Sequence, residues 1–314
     1  MLIRGRRALL LVALRASSTV ASEQSCSAVK GPLPYTLQQK TRLSHDSFLL
    51  QFSLPSSHKF LGSDTSLPTC IKVLYPNGTD EKTNLPKPLE KSYSPVSHPR
   101  SEGFVDLVVK AYEPRPGGGV GAYLCGLEVG ETMMGTVKSK RMMHGDASVL
   151  GRWANIGLVA GGTGIAPLLQ IARIALEDEG PTVVGRHPTR VHLLSINRYE
   201  EDILMRSQLD ALATQFPGRF FVTYSLTGEP APSGWQGRTG RGDAAMVAAA
   251  LPRPTGDGST QILVCGTDGF VATWGGPVGR APKLADGSKG PKTQGPLQGL
   301  LAAAGYDEAE VFKY

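Results

Sequence analysis

The stretch LVAGGTGIAPLLQIARIAL, residues 158–176, decides the fold. A β-like apolar run, IGLVA (156–160), meets three glycines and a threonine, and an apolar-periodic helix follows. Gly161, Gly162 and Gly164 permit backbone angles and close approaches that a Cβ would forbid. Pro167 suits a first helical turn, because its φ is already helical and its missing N–H has no intrahelical partner there. Leu168, Leu169, Ile171, Ala172, Ala175 and Leu176 then pack the helix onto a sheet. An open helix N-terminus at the carboxyl end of a parallel strand is an anion site that suits a pyrophosphate. GGTGIAP is not the GxGxxG fingerprint, so a plain strand–helix turn without a ligand fits that spacing equally.

Outward from this stretch the chain has two textures. Downstream, RVHLLSIN (190–197) reads as a strand, EEDILMRSQLDALATQF (200–216) as a helix, and RFFVTYSL (219–226) and TQILVCG (260–266) as strands. Alternating β and α elements imply a parallel sheet with crossover helices. Upstream, short runs such as FLLQFSL (48–54), CIKVLY (70–75) and GFVDLVVKAY (103–112) are separated by PSSH, PNGTD and PRPGGGVG, which predicts a small antiparallel β-barrel. The expected organisation is therefore two-domain: an N-terminal segment over 1–30, a β-barrel over 31–151, and an α/β domain with a Rossmann-like parallel sheet over 152–314. ILVCGTDGF (262–270) ends a second strand in glycines, and if the two strands are neighbours their turns line one cleft. GGPVGRAPKLADGSKGPKTQGP (275–296) reads as a long exposed loop.

Composition narrows the classes. The 314 residues are 40% apolar and 19% charged, ordinary for a globular protein, with a formal net charge of +6. Most of that excess sits in MLIRGRRALLLVALRASSTVAS (1–22), which holds Arg4, Arg6, Arg7 and Arg15 and no acid. The nearly neutral remainder argues against a nucleic-acid footprint. The leader reads as a mitochondrial presequence, with a membrane anchor or secretory signal as the alternative. Arg15 cuts its apolar run far short of the ~20 residues of a spanning helix, and membrane association is expected through this segment only. Cys26, Cys70, Cys125 and Cys265 show no CxxC spacing and no clustered histidines, so neither a metal site nor a disulfide framework is expected.

LEKSYSPVSHP (89–99) completes the pattern. SHDSFLLQFSLPS (44–56) resembles an opening strand, KSYSPVS the flavin motif R-x-Y-[ST]-x-x-[ST], GGTGIAP the motif GG[ST]GITP, ILVCGTDG the CGPPG region, and EVFKY an aromatic C-terminus, all of the NADH–cytochrome b5 reductases. The chain resembles these flavoenzymes of the ferredoxin–NADP reductase superfamily from about residue 32 to Tyr314. The resemblance implies FAD and NADH, with NADPH possible, and a haem acceptor such as cytochrome b5. A hydride enters and single electrons leave, which a flavin can bridge without an acid–base dyad. It implies that Tyr93 lies along the isoalloxazine, Ser94 offers a hydroxyl to flavin N5, and Lys91, beside Ser92, approaches the flavin pyrophosphate. Val108, Lys110 and Tyr112 would line the flavin site, Val120 and Gly121 its phosphates, and Ala166 would pack close to it. Gly161, Gly162, Thr163 and Gly164 would face the nicotinamide dinucleotide, with Cys265 and Gly266 near the nicotinamide. Asn197 and Thr227 would meet the adenosine half. Tyr93, Ser94, Thr163 and Cys265 are the residues implied to lie at the reacting rings.

The chain departs from the family pattern at several of these places. Lys91 replaces an Arg and cannot make its bidentate fork, and Gly121 replaces a phosphate-binding hydroxyl. Asp268 adds a charge in CGTDG. MMGTVKSKRMM (133–143) lacks the usual RGP but carries Lys138, Lys140 and Arg141, either compensating or a solvated face. Thr227 stands where an acid commonly discriminates against a 2′-phosphate, and Arg238 and Arg241 either approach that phosphate or form an exposed basic loop. Two other readings remain open: a non-catalytic dinucleotide-binding relative with a weakened flavin site, and an NADPH-using reductase of a ferredoxin- or flavodoxin-type acceptor.

Overall fold

A computed structural model describes residues 31–62, 64–80, 82–112, 119–138, 151–177, 188–285 and 290–314. The leader, Cys26, Lys140 and Arg141 lie outside the described residues.

Six antiparallel strands form the first half: β1 (Leu33–Arg42), β2 (Ser47–Ser53), β3 (Cys70–Tyr75), β4 (Leu89–Tyr93), β5 (Phe104–Lys110) and β6 (Thr132–Lys138). Their order is β4-β3-β6-β1-β2-β5. Period-2 alternation turns Tyr35 and Leu37, Leu50 and Phe52, Ile71 and Val73, and Val105, Leu107 and Val109 into one core. The sheet closes just past β4. Pro95 bridges Leu107, and the Val96 N–H donates to the Asp106 carbonyl at 2.9 Å. A short helix, α1 (Val120–Gly126), covers one end and buries Val120 and Leu124. The barrel opens one strand earlier than the motif SHDSFLLQFSLPS suggested, because LPYTLQQKTR pairs with both β2 and β6.

The second half is built from β7 (Asn155–Gly161), α2 (Ile165–Glu177), β8 (Arg190–Asn197), α3 (Arg206–Gln215), β9 (Phe220–Leu226), β10 (Arg238–Thr239), α4 (Ala244–Ala250), β11 (Thr260–Cys265) and α5 (Asp268–Gly275). β12 (Gly279–Arg280), β13 (Lys292–Thr293), α6 (Gly299–Ala303) and β14 (Val311–Lys313) follow. The main sheet runs β10-β9-β8-β7-β11-β14, with every pair parallel. Ile156, Leu158, Val159 and Ala160 are all fully buried, as a strand covered on both faces requires. The chain leaves β7 to β8 on one side and returns to β11 on the other. The carboxyl end of β7 is thus the topological switch point, where open α/β sheets bind ligands.

The neighbouring strands anticipated from the two glycine turns are in register, with Cys265 opposite Ala160. A Cβ on Gly164 would fall on the Cys265 carbonyl group and lie 2.8 Å from the Gly266 nitrogen. The turn after β7 therefore rests on the turn after β11 backbone to backbone.

Helix α2 is buried on two sides. Leu168, Leu169, Ile171, Ala172 and Ile174 join a core that also holds Leu67, Val96 and Val108 of the barrel half. Even Gln170 is buried, its Oε1 accepting from the Thr69 N–H at 2.9 Å, and Arg173 Nε donates to the Val96 carbonyl at 3.0 Å. This helix is the joint between the halves.

Two predicted elements differ. The helix expected over 200–216 begins only at Arg206. Ile203 is extended and Met205 takes a left-handed φ of 62°, neither of which a helix can run through, and both are buried with Leu204 between them. Glu200–Asp202 is instead a separate 3₁₀ turn. The loop over 275–296, expected to be simply exposed, is tied down at both ends of its described part. β12 pairs with β13, and the Lys313 ammonium donates to the carbonyls of Gly275 (3.1 Å), Pro277 (3.4 Å), Gly295 (3.3 Å) and Pro296 (3.0 Å). Burial lowers the Lys313 pKa.

Gly164→Ala should force the two turns apart. The expected cost is at or above the about 1–3 kcal/mol of overpacking a core, because the obstacle is backbone. Thermal unfolding checks it, and a Tm equal to the parent's would contradict the close approach.

Candidate functional site

At the switch point a cleft of about 710 Å³ opens between the two halves. Its α/β wall starts at Gly161, Gly162 and Thr163. Gly162 has a φ of 52° and open space where a Cβ would point, so the turn presents bare backbone to the cleft. Gly161 is bare for another reason: a Cβ there would sit 2.9 Å from the Phe270 ring. Asn197 and Thr227 continue this wall at the ends of β8 and β9. The opposite wall carries Lys110 and Tyr112 with Ser44, Asp46 and Ser47. Residues assigned from the resemblance to the two different dinucleotides thus face one space.

The remaining assigned residues lie around that space. Val108 and Ala166 are buried where the halves meet. Gly164, Cys265 and Gly266 sit behind the Gly161–Thr163 turn and are not among the residues lining the cleft, Gly164 being buried and Cys265 half-buried. Ser94 is half-buried and directly precedes the Pro95 bridge that closes the barrel. Val120 turns its side chain into the barrel core, leaving only backbone to offer a ligand, and a Cβ on Gly121 would lie 2.9 Å from the Lys110 carbonyl oxygen. Beside them, the Lys91 ammonium sits 5.4 Å from the Tyr93 ring centroid and 5.3 Å from that of Tyr112, a cation between two aromatic rings. Ser92 is half-buried next to it.

Electrostatics at the rim are organised by Asp46. Its carboxylate takes the Lys110 ammonium at 2.5 Å and the Ser47 hydroxyl at 2.9 Å. Burial pushes the Asp46 carboxyl up, but these partners outweigh it and hold it below the usual range. His45 spans the halves, with Nε2 3.3 Å from Asp46 Oδ2 and Nδ1 3.3 Å from Asp202 Oδ1.

Sequence reasoning missed Ser44, Asp46, Arg198, Asp202 and Phe270. Asp46 and Ser44 stood inside a quoted motif read only as a strand. Asp268 is exposed in the first turn of α5, where a carboxylate complements the helix dipole, and Thr267 caps that helix through the Phe270 N–H. That explains the CGTDG departure without a ligand. Of the two arginines singled out, Arg241 lines the cleft, whereas Arg238 lines a separate cavity with Tyr224 and Trp235. Among the described residues no group of three or more His, Cys, Asp or Glu side chains is placed to hold a metal ion, and no helix is long and apolar enough to cross a membrane.

Two tyrosines test the fit of a bound cofactor. The Tyr93 hydroxyl is buried with no hydrogen-bond partner, and burial pushes its pKa up. Tyr112 is 48% exposed on the cleft wall. A phenol without an acceptor and a bare aromatic face both suit a large, polar-edged ring ligand.

Comparison with known proteins finds two family models, one on each half. Residues 34–138 match the oxidoreductase FAD-binding domain and residues 158–274 the oxidoreductase NAD-binding domain. NADH-cytochrome b5 reductase 1 of Aspergillus terreus is 33% identical over 242 residues, covering 76% of this chain and 74% of that protein. NADH-cytochrome b5 reductase 2 of Coccidioides immitis is 31% identical over 272 residues, 87% of this chain and 74% of that one. In fold, the chain is similar to the cytochrome b5 reductase domain of Ulva prolifera nitrate reductase, with a TM-score of 0.66 at 24% identity over 91% of this chain and 97% of that domain.

Tyr93→Phe removes the orphaned hydroxyl and nothing else. If a flavin oxygen is its acceptor, FAD affinity should fall about fivefold to tenfold, the worth of one hydrogen bond of about 1 kcal/mol, while the Tm of the apoprotein holds or rises. Titration of apoprotein with FAD reads the first and thermal unfolding the second. Unaltered FAD affinity would remove Tyr93 from the flavin site.

Proposed function

This chain belongs to the NADH–cytochrome b5 reductase family, and we propose that it takes a hydride from NADH and delivers single electrons to cytochrome b5 or a similar haem acceptor. The observation that carries this reading is the shared cleft, where Gly161, Gly162 and Thr163 face Lys110 and Tyr112 across one space. Bound FAD would supply the passage from a two-electron donor to a one-electron acceptor. Binding, orientation and exclusion of water are left to the chain itself.

The Gly161–Thr163 turn and the N-terminus of α2 are read as the cradle of the nicotinamide dinucleotide, since free N–H groups and the helix dipole both favour its pyrophosphate. Thr163 and Cys265 flank the nicotinamide in this reading. Lys91, Ser92, Tyr93 and Ser94 hold the flavin with Val108, Lys110 and Tyr112, and the backbone of Val120 and Gly121 meets its phosphates. Lys91 supplies charge without a guanidinium fork, and its two flanking rings restrict where that charge sits. Val108 and Ala166, buried in the joint core, keep water from the wall behind both rings. Reaction then depends on two rings held near contact, which is a matter of position.

The Arg-rich leader supports a mitochondrial location for this activity, and fractionation of cells expressing the full chain tests it.

Anaerobic mixing with NADH should bleach the bound flavin, and the reduced protein should then reduce ferricytochrome b5. Ser94→Ala should slow bleaching tenfold or less, since a single neutral hydrogen bond is at stake. Stopped-flow absorbance reads both steps. A flavin that NADH leaves oxidised defeats the donor assignment, and a bleached enzyme inert toward cytochrome b5 defeats the acceptor.

A further inference from the structure

For most of its length β9 is the outer edge of the parallel sheet. β10 pairs only with Ser225 and Leu226, so residues 220–224 meet no further strand. The bonds on the other side of β9 fix where its backbone groups point. The Val191 N–H donates to the Arg219 carbonyl at 2.7 Å and the Thr227 N–H to the Asn197 carbonyl at 2.9 Å, so the odd-numbered residues bond β8. The even-numbered residues face outward, where the Leu226 carbonyl accepts from the Gly240 N–H at 2.8 Å. Among the described residues nothing pairs with the Val222 N–H, the Val222 carbonyl or the Tyr224 N–H.

Sheets blunt such an edge with a charge, a proline or a bulge. FFVTYSL carries no charged residue and no proline, and its aromatic and β-branched side chains favour strand pairing. The same edge forms one side of a groove of about 610 Å³, lined by Val222, Thr223 and Tyr224 of the strand and by residues 233–238 of the loop after it. Arg206 lies over the rings of Tyr224 and Trp235, at 5.5 and 5.8 Å from their centroids, which puts charge on the Tyr224 face. Glu200 also lines the groove, and it is spent on Arg206 at 2.5 Å. Arg238 is exposed, and among the described residues its guanidinium meets no carboxylate. Two guanidiniums against one carboxylate leave the groove positive. Phe221, 42% exposed, lies on the face of the strand opposite Val222 and Tyr224. A segment added to this edge would set its side chains alternately beside a charged groove and beside an apolar ring.

We propose that the outer edge of β9 binds an extended peptide segment of a partner protein, one that alternates acidic and apolar residues and adds to the sheet as a further strand. Main-chain bonds to Val222 and Tyr224 hold the segment, Arg238 selects its acids, and Phe221 receives the apolar side chains between them. This groove shares no lining residue with the cleft at the switch point, so the proposal stands apart from the redox reading.

The test titrates the FAD-loaded full chain with an acetylated, amidated peptide of alternating glutamate and valine, matched in length to β9. Fluorescence polarisation should show binding at low salt that weakens at about 0.5 M salt. A peptide with lysine in place of glutamate should bind about tenfold more weakly or worse. The glutamate peptide N-methylated at every residue keeps its charge and loses its main-chain donors, and it should also bind about tenfold more weakly or worse. Val222→Pro removes the outward N–H where an edge strand tolerates proline, and should cost about fivefold to tenfold in affinity. Arg238→Glu leaves the backbone alone, and should cost the glutamate peptide about threefold to tenfold while favouring the lysine peptide. Hydrogen exchange at the Val222 and Tyr224 amides should slow when the peptide binds, as strand addition requires. Equal affinity for the glutamate and lysine peptides, undiminished binding of the N-methylated peptide, or unaltered exchange at those amides overturns the proposal. A chain that sediments as a dimer with both amides already protected gives the edge to a second copy, and overturns it as well.

Discussion

The structure depends on a contact that no side chain makes. The turn after β7 lies on the turn after β11, and only a residue without a Cβ fits at Gly164 above the Cys265 carbonyl. That contact sets the direction in which α2 leaves the sheet, and so where its free N–H groups point. It also lets Phe270 close over both Gly161 and Gly266, each of which would clash with its ring if it carried a Cβ. Packing at that density is intolerant of a single added methyl group. The wall of the cleft at Gly161 and Gly162 is thus bare backbone, and the chemistry offered there is amide and carbonyl before it is anything else.

A second constraint follows from the first. Once α2 is aimed, its outer face must be covered, and the barrel covers it. Gln170 and Arg173 give up solvent to bond the backbone of Thr69 and Val96, while Leu67 and Val108 fill the space between. The two walls of the cleft are therefore fixed relative to one another through a helix that belongs to one of them. His45, held between Asp46 and Asp202, repeats the connection at the rim. For an oxidoreductase with an FAD-binding and an NAD-binding half, fixing the walls matters more than any individual side-chain hydrogen bond.

Much of this was legible in the chain because backbone requirements leave strong marks. The glycines of GGTGIAP and the alternation of strand and helix after it point to a parallel sheet and its switch point, and the neighbouring strand ILVCG could be inferred from its own glycine. The outline failed where tertiary context overrides local pattern. LPYTLQQKTR carries more polar than apolar residues and gives no clear signal, because as β1 it turns only Tyr35 and Leu37 into the barrel core. EEDILMRS has helix-forming composition, yet Ile203 is extended and Met205 takes a left-handed φ, so the chain turns there before a helix begins. Ser44 and Asp46 contribute through a hairpin turn, and Arg198 through its place after a strand; neither pattern is marked by spacing. Among the motif residues, sequence alone could not separate those whose side chains face the cleft, such as Tyr112, from those whose side chains are spent on packing, such as Val120.

The caged ammonium of Lys313 bears on how this protein changes over evolutionary time. Its four acceptors are main-chain oxygens of Gly275, Pro277, Gly295 and Pro296, and a main-chain oxygen is the same whatever residue carries it. The two ends of the segment are therefore gathered from outside, on one lysine of the last strand. A substitution at an acceptor leaves its oxygen in place, except where the backbone itself demands glycine, as at Gly295, whose φ is 62° and whose Cβ would lie 2.5 Å from the Pro277 oxygen. Exchange of Lys313 itself is not neutral in the same way, since it releases four oxygens at once and leaves the segment to the β12–β13 pairing and the Gln294 bonds to the last strand.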